Sequence, residues 1–423
     1  MEIELLYGTE NLIIDLPGDR TTVVEPVRRP GVSDPGKLLR DTVRNPVSGP
    51  PLREVVRAGQ RVAISICDGT RPQPRGLMVR AVLDELDGIV DSKDIVVLVA
   101  TGTHRPNTGE ELEEMLGAEL LRRVRVVNHD CRDAGSLVYL GEFGNGVPVS
   151  LNREWVEADV KITTGFVEPH FFAGFSGGPK LVAPGLAALE TVLTLHDARR
   201  IGSEKATWGV RKGNPVHDDV RAIARGTGVD FAFDVILNRE KEIVDAFGGE
   251  MFTMHDAASE VARELAMVPF REPFDVVVTT NSGYPLDQNL YQAVKGISAA
   301  ENAVRPGGLI ICAAECRDGL PGGSEYERVL ASGESIGEVL SAIEARPRTV
   351  PDQWQVQVQA RIQAKARVGV YTDYLSEADL AAGHLERIDD ISEAVRHALD
   401  KAGPNARVCV LPEGPQTIPY LEP

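Results

Sequence analysis

The sequence predicts an α/β protein made of two α/β domains, each with a mainly parallel sheet flanked by helices. Three observations carry this expectation. Short β-branched runs alternate with amphipathic stretches, the order that parallel strands with crossover helices produce. The 423 residues exceed the roughly 100–200 that one core usually serves. Finally, Pro269 and Arg271-Glu272-Pro273 interrupt the periodicity and mark a boundary near 268–273.

In the first half, residues 61–66, 94–100, 124–128 and 160–164 read as buried strands, with helical patterns between several of them. A second series begins at 275–280 and continues at 309–313 and 368–371. The expected domains are 1–270 and 271–402, with the C-terminal segment 403–423, including a strand at 407–411, joining the first. Reacting groups are expected on loops leaving the carboxyl ends of such strands.

Composition narrows the function. Hydrophobic residues at 43% and charged residues at 26% are ordinary for a folded globular chain. The net charge of −18 is spread along the chain and argues against nucleic acid, whose phosphates it would repel. A small anionic substrate then needs a locally basic pocket. Met1-Glu2-Ile3-Glu4 offers no signal-peptide pattern and no apolar run reaches about 18 residues, so a cytoplasmic protein without a membrane span is expected. Cys67, Cys131, Cys312, Cys316 and Cys409 are scattered and odd in number, which reads as buried thiols rather than a disulfide framework or zinc site.

Cys67-Asp68-Gly69-Thr70-Arg71-Pro72 follows a strand, so an acid, a hydroxyl and a guanidinium leave the sheet together. Arg71 can grip a carboxylate in a bidentate fork, although a turn with Asp68 and Arg71 paired is the simpler alternative. Ala100-Thr101-Gly102-Thr103-His104-Arg105-Pro106 repeats the arrangement, and His104 is a candidate acid or base. The segment from Thr164 to Lys180 holds four of the eleven phenylalanines, with Glu168, His170, Ser176 and the Gly177-Gly178-Pro179-Lys180 turn. Apolar walls would exclude water there, and a lysine among them would have a lowered pKa. It matches neither a phosphate-binding Walker loop nor a dinucleotide fingerprint. His196 follows sixteen residues after Lys180, on a helical pattern over 186–200. In the second domain Tyr291-Gln292-Ala293-Val294-Lys295 opens a helix with Gln292 and Lys295 on one face, able to converge on a carboxylate.

Together these motifs resemble the nickel-pincer lactate racemase family, over most of the chain and in the same order. The resemblance implies an enzyme carrying a nickel pincer nucleotide, a pyridinium-3,5-bisthiocarboxylic acid mononucleotide. Lys180 would bond covalently to the cofactor and His196 would complete nickel coordination. His104 and His170 match the acid–base pair. Arg71, Gln292 and Lys295 match positions that hold the substrate carboxylate, and Tyr291 and Trp354 stand where members place active-site aromatics. Asp68, Thr70, Ser176, Gly177 and Gly178 match cofactor-contacting loops. The active site would lie in an interdomain cleft, and cofactor-synthesising enzymes would be partners.

The chemistry implied is inversion of the α-carbon of a 2-hydroxy acid. Removing the α-proton would build a carbanion beside a carboxylate; removing hydride while a histidine takes the hydroxyl proton leaves a flat 2-keto acid instead. Each histidine would serve as base for one enantiomer and acid for the other. Two alternatives remain open at this point: a zinc hydrolase using His104, His170 and His196, and a non-catalytic carrier of the cofactor.

Overall fold

The computed structural model describes residues 1–422 and divides into two compact units, residues 28–196 with 205–263, and residues 1–27 with 197–204 and 264–423. The strands of the two main sheets are, in chain order, β1 (Thr21–Val23), β2 (Val62–Cys67), β3 (Ile95–Ala100), β4 (Arg125–Asn128), β5 (Val160–Phe166), β6 (Phe231–Leu237), β7 (Ile243–Gly249), β8 (Phe274–Thr280), β9 (Val304–Ala313), β10 (Arg367–Tyr371), β11 (Glu386–Arg387) and β12 (Val408–Leu411). Helices used below are α1 (Arg75–Leu86), α2 (Leu189–Leu195), α3 (Pro215–Thr227), α4 (Met251–Ala266), α5 (Leu290–Glu301) and α6 (Gln353–Lys365).

In the unit centred on residues 28–196 the sheet order is β7-β6-β5-β2-β3-β4, parallel except for the antiparallel edge pair β6 and β7. β2 reads VAISIC and is buried at every position, as expected of a parallel strand covered on both faces. From β2 the chain builds outward to β3 and β4, then returns to place β5 on the other side. The carboxyl ends of β2 and β5 therefore form a topological switch point, where the loops diverge.

The other unit repeats the principle with the order β11-β10-β9-β8-β12-β1, all parallel. Its switch point lies between β8 and β12, and α5 follows the loop leaving β8.

The strands expected from sequence are present with ends shifted by a few residues. The domain assignment of the chain ends differs. Residues 403–423 do not join the first unit: Val276 of β8 pairs with Val408 of β12, and β1 covers the far edge of β12. Val408 and Val410 bury against Ile3 and Leu5 of an N-terminal hairpin, so residues 1–27 also belong here. The physical reason is edge pairing, since a four-residue apolar strand needs backbone partners on both sides. The expected helix over 186–200 is also interrupted: α2 stops at Leu195 and His196 is its C-cap residue.

All the cysteines are free and buried. Burial pushes the thiols of Cys67 and Cys409 up to about 12, which keeps them unreactive. Among the described residues no helix is long and apolar enough to cross a membrane.

Gly296 shows how tightly α5 is seated, because a Cβ there would run into the carbonyl oxygen of Thr280 at the end of β8. In an exposed helix Gly→Ala gains about 1 kcal/mol of propensity. Here Gly296→Ala is expected to reverse sign and lower the melting temperature, as read by circular dichroism. An unchanged or higher value would mean that α5 does not pack this closely on the sheet.

Candidate active site

Three loops leave the carboxyl ends of β2, β3 and β5 in the unit centred on residues 28–196. Asp68, the first residue past β2, is buried, and its carboxylate accepts from the Thr70 hydroxyl at 2.9 Å. Its other oxygen lies 2.8 Å from Nδ1 of His104, on the loop after β3. Burial pushes the Asp68 carboxyl up, but the His104 hydrogen bond and the charges of His104 and Arg71 outweigh it and hold the group below the usual carboxylate range. An ionised Asp68 accepts from Nδ1–H of His104, and the tautomer so held has Nε2 as the nitrogen a base would use. Asp68, Thr70, Arg71 and His104 line one cleft of about 740 Å³. Arg71 is exposed within it.

The loop after β5 folds back as a short hairpin, with Pro169 opposite Phe175 and His170 opposite Gly174. Phe172 is its hub. The His170 ring lies 4.6 Å from the Phe172 ring, the His196 ring lies 5.2 Å from it, and the Lys180 Nζ sits 5.8 Å from its centroid. Nδ1 of His170 accepts from the backbone N–H of Ala173 at 3.2 Å, which orients the ring. Nδ1 of His196 faces the carbonyl of Val192 at 2.7 Å, so it donates and Nε2 keeps the lone pair of the neutral ring. Metal-binding histidines are commonly fixed by such a bond through the non-ligating nitrogen.

The Ser176-Gly177-Gly178 turn needs its glycines. Both adopt positive φ, 73° and 48°, and side chains there would meet Asp234, Phe166 and the His255 ring. Gly178 N–H donates to Asp234 Oδ2 at 2.6 Å, and His255 Nε2 donates to the Ser176 carbonyl at 2.8 Å. Burial pushes Asp234 up to about 7 against the pull of the Gly178 and Gly165 N–H groups. Burial also lowers His255 to about 4 and His217 to about 3, the neighbouring His255 and Arg221 adding to the shift of His217. The Ser176 hydroxyl bonds within its own loop, donating to the Phe166 carbonyl at 3.0 Å. Two backbone bonds tie this loop to that of His104: Gly185 N–H to the Lys180 carbonyl at 3.1 Å, and Gly102 N–H to the Gly185 carbonyl at 3.0 Å.

The other unit carries the remaining sequence candidates. Lys295 Nζ donates to Gln292 Oε1 at 2.7 Å, so the two converge as their spacing implied. Tyr291 packs edge-on to Tyr326 with centroids 5.3 Å apart, and Gln355 of α6 donates to the Tyr291 carbonyl at 2.6 Å. Trp354 is buried on α6.

Among the described residues no three His, Cys, Asp or Glu side chains gather to hold a metal by themselves. The three-histidine zinc site considered from sequence is therefore not assembled, because His104 is turned to Asp68 while His170 and His196 are grouped around Phe172.

Sequence reasoning did not single out Asp234, His217 or His255. Asp234 left a signal, being the lone acid in the otherwise apolar β6 run FAFDVIL. The histidines are embedded in the amphipathic patterns of α3 and α4 and left none.

Residues 7–209 match the family described as lactate racemase N-terminal domain, and residues 270–418 match the lactate racemase C-terminal domain. The chain is 33% identical to the lactate racemase of Thermoanaerobacterium thermosaccharolyticum, covering 98% of each chain. It is 36% identical to that of Lactiplantibacillus plantarum, covering 95% of this chain and 98% of the relative. The apoprotein structure of the Thermoanaerobacterium enzyme superposes with a TM-score of 0.93 at 33% identity, covering 99% of this chain and 100% of that one. A Thermotoga maritima protein at 19% identity and a TM-score of 0.65, covering 92% and 97%, shares the fold.

Because the folded-state Asp68 carboxyl lies below its ordinary value, its ionised form stabilises the fold above a pH of about 4, and that contribution is lost as pH falls through the lower folded value. Asp68→Asn is expected to cost about 1–3 kcal/mol at neutral pH by urea unfolding, with the difference from wild type shrinking in acid. A difference independent of pH would mean that the carboxylate is not paired.

Proposed function

This chain belongs to the lactate racemase family, and we propose that it inverts the α-carbon of lactate or a related 2-hydroxy acid through a 2-keto acid, using a nickel pincer nucleotide bound to Lys180. The observation that carries this reading is the grouping of His170, His196 and Lys180 around the Phe172 ring.

The residues present fit such a cofactor. His196 has Nδ1 fixed on the Val192 carbonyl, which suits Nε2 to nickel. Lys180 supplies an amine in an aromatic wall, and the Gly177-Gly178 turn is rigidly braced beneath it. When bound, the cofactor supplies a reversible hydride acceptor.

The chain's own groups do the rest. Nε2 of His104 takes the substrate hydroxyl proton, and Asp68 stabilises the resulting imidazolium across a 2.8 Å contact. His170 serves the opposite enantiomer. Arg71 orients the carboxylate, with Gln292 and Lys295 as further carboxylate-binding groups. Phe171 and Phe172, both buried, keep water from the reacting carbon. Enzymes that make the cofactor are the partners this reading requires. A non-catalytic carrier would need Lys180 and His196 alone, and the ordered Asp68–His104 pair favours catalysis.

Co-expression with pincer-cofactor biosynthetic enzymes, followed by intact mass, peptide mapping and nickel assay, tests the reading. An adduct on Lys180 with about one nickel per chain is expected. Neither adduct nor nickel, under conditions that load the Thermoanaerobacterium relative, would overturn it. In loaded protein, His104→Ala and His170→Ala are each expected to lower kcat by about 10²–10⁴-fold with unchanged melting temperature. Full racemase activity in either variant would remove that residue from the acid–base pair.

A further inference from the structure

The basic side chains near the cleft invite the idea of a second anion-binding group. Arg75, at the first turn of α1, is one of its lining residues, yet its guanidinium is buried. Nε donates to the Cys67 carbonyl at 2.7 Å and Nη1 to the Gln73 carbonyl at 3.2 Å. Nη2 donates to the carbonyls of Asp68 and of Arg71, the latter at 2.6 Å. Four of the five guanidinium N–H groups are thus directed at one loop. That loop carries Asp68, Thr70 and Arg71.

Among the described residues every Arg75 side-chain bond goes to a backbone carbonyl and none to a carboxylate, and burial lowers its pKa. An isolated buried cation is costly unless its donors are all satisfied. A surface loop could leave the same carbonyls to water. Here four carbonyl dipoles instead converge on one planar fork, a geometry that the single nitrogen of lysine does not reproduce. Gln73 completes the brace, accepting from the Cys67 N–H at 2.8 Å and donating to the Thr164 hydroxyl of β5 at 2.9 Å.

We infer that Arg75 is a positioning residue: its guanidinium sets the shape of the Asp68–Arg71 loop, and so the aim of the His104 imidazole and the Arg71 fork, without itself binding an anion. This rests on the proposed racemase reading only for its effect on turnover.

The direct test needs neither cofactor nor activity. In wild-type protein with nitrogen-15 arginine, Arg75 is expected to give separate, slowly exchanging guanidinium proton signals, unmoved when lactate is titrated, while Arg71 signals shift. Averaged, fast-exchanging Arg75 signals, or a shift of Arg75 with lactate, would overturn the inference. Arg75→Lys is the second test. The His104 ring-nitrogen signals, assigned with His104→Gln, are expected to move toward those of Asp68→Asn. In loaded enzyme kcat/KM is expected to fall about 100-fold while the chain remains folded by circular dichroism. Unchanged His104 signals in a folded Arg75→Lys variant would equally overturn it. If Arg75 shows slow exchange in a chain that never takes up cofactor, the racemase reading fails and the positioning role stands.

Discussion

Parallel pairing of Val62–Cys67 on both of its edges is the constraint on which the rest of the site depends. A strand buried among parallel neighbours sends every connection over a face of the sheet, so the loops after β2, β3 and β5 all emerge at one edge. Chain order then decides that the loops after β2 and β5 diverge. The cleft of about 740 Å³ lies between the segments that follow β2 and β3, residues 68–80 and 104–117.

Such an edge is rich in unpaired backbone groups, and the chain satisfies them with side chains rather than with regular structure. Thr101 donates to the His129 carbonyl at 2.6 Å, Asp234 accepts the Gly178 N–H, and His255 donates to the Ser176 carbonyl. Asn214 donates to the Phe172 carbonyl at 2.9 Å from the start of α3. These bonds come from several elements distant in sequence, which is why loops of this length hold fixed conformations. The groups that would touch substrate stand on this support and contribute little to it.

Electrostatics follows the same division. Burial dominates Asp234, His255 and His217 beneath the Gly-rich turn, raising the acid to about 7 and lowering the histidines, and there they act as plain donors and acceptors. Asp68 is also buried, but its partners outweigh desolvation and keep it ionised beside His104. One carboxyl therefore braces a turn and the other stays ionised against the His104 imidazole, a difference set by neighbours within a few ångströms.

Sequence alone determined the α/β class and most strands, because hydrophobic period and strand-end punctuation are local properties of the chain. It also carried the motifs Asp68-Gly69-Thr70-Arg71, Thr103-His104 and Gly177-Gly178-Pro179-Lys180, each contiguous. Only the tertiary structure decided that Val408–Leu411 and Thr21–Val23 share a sheet and that the first 27 residues belong to that unit, since edge pairing joins positions almost 400 residues apart. It alone decided that Arg75 faces carbonyls rather than solvent, that Asp234 and His255 brace a turn, and that Phe172 gathers His170, His196 and Lys180. Those outcomes depend on contacts between distant segments, and no periodicity within a short stretch of sequence records them.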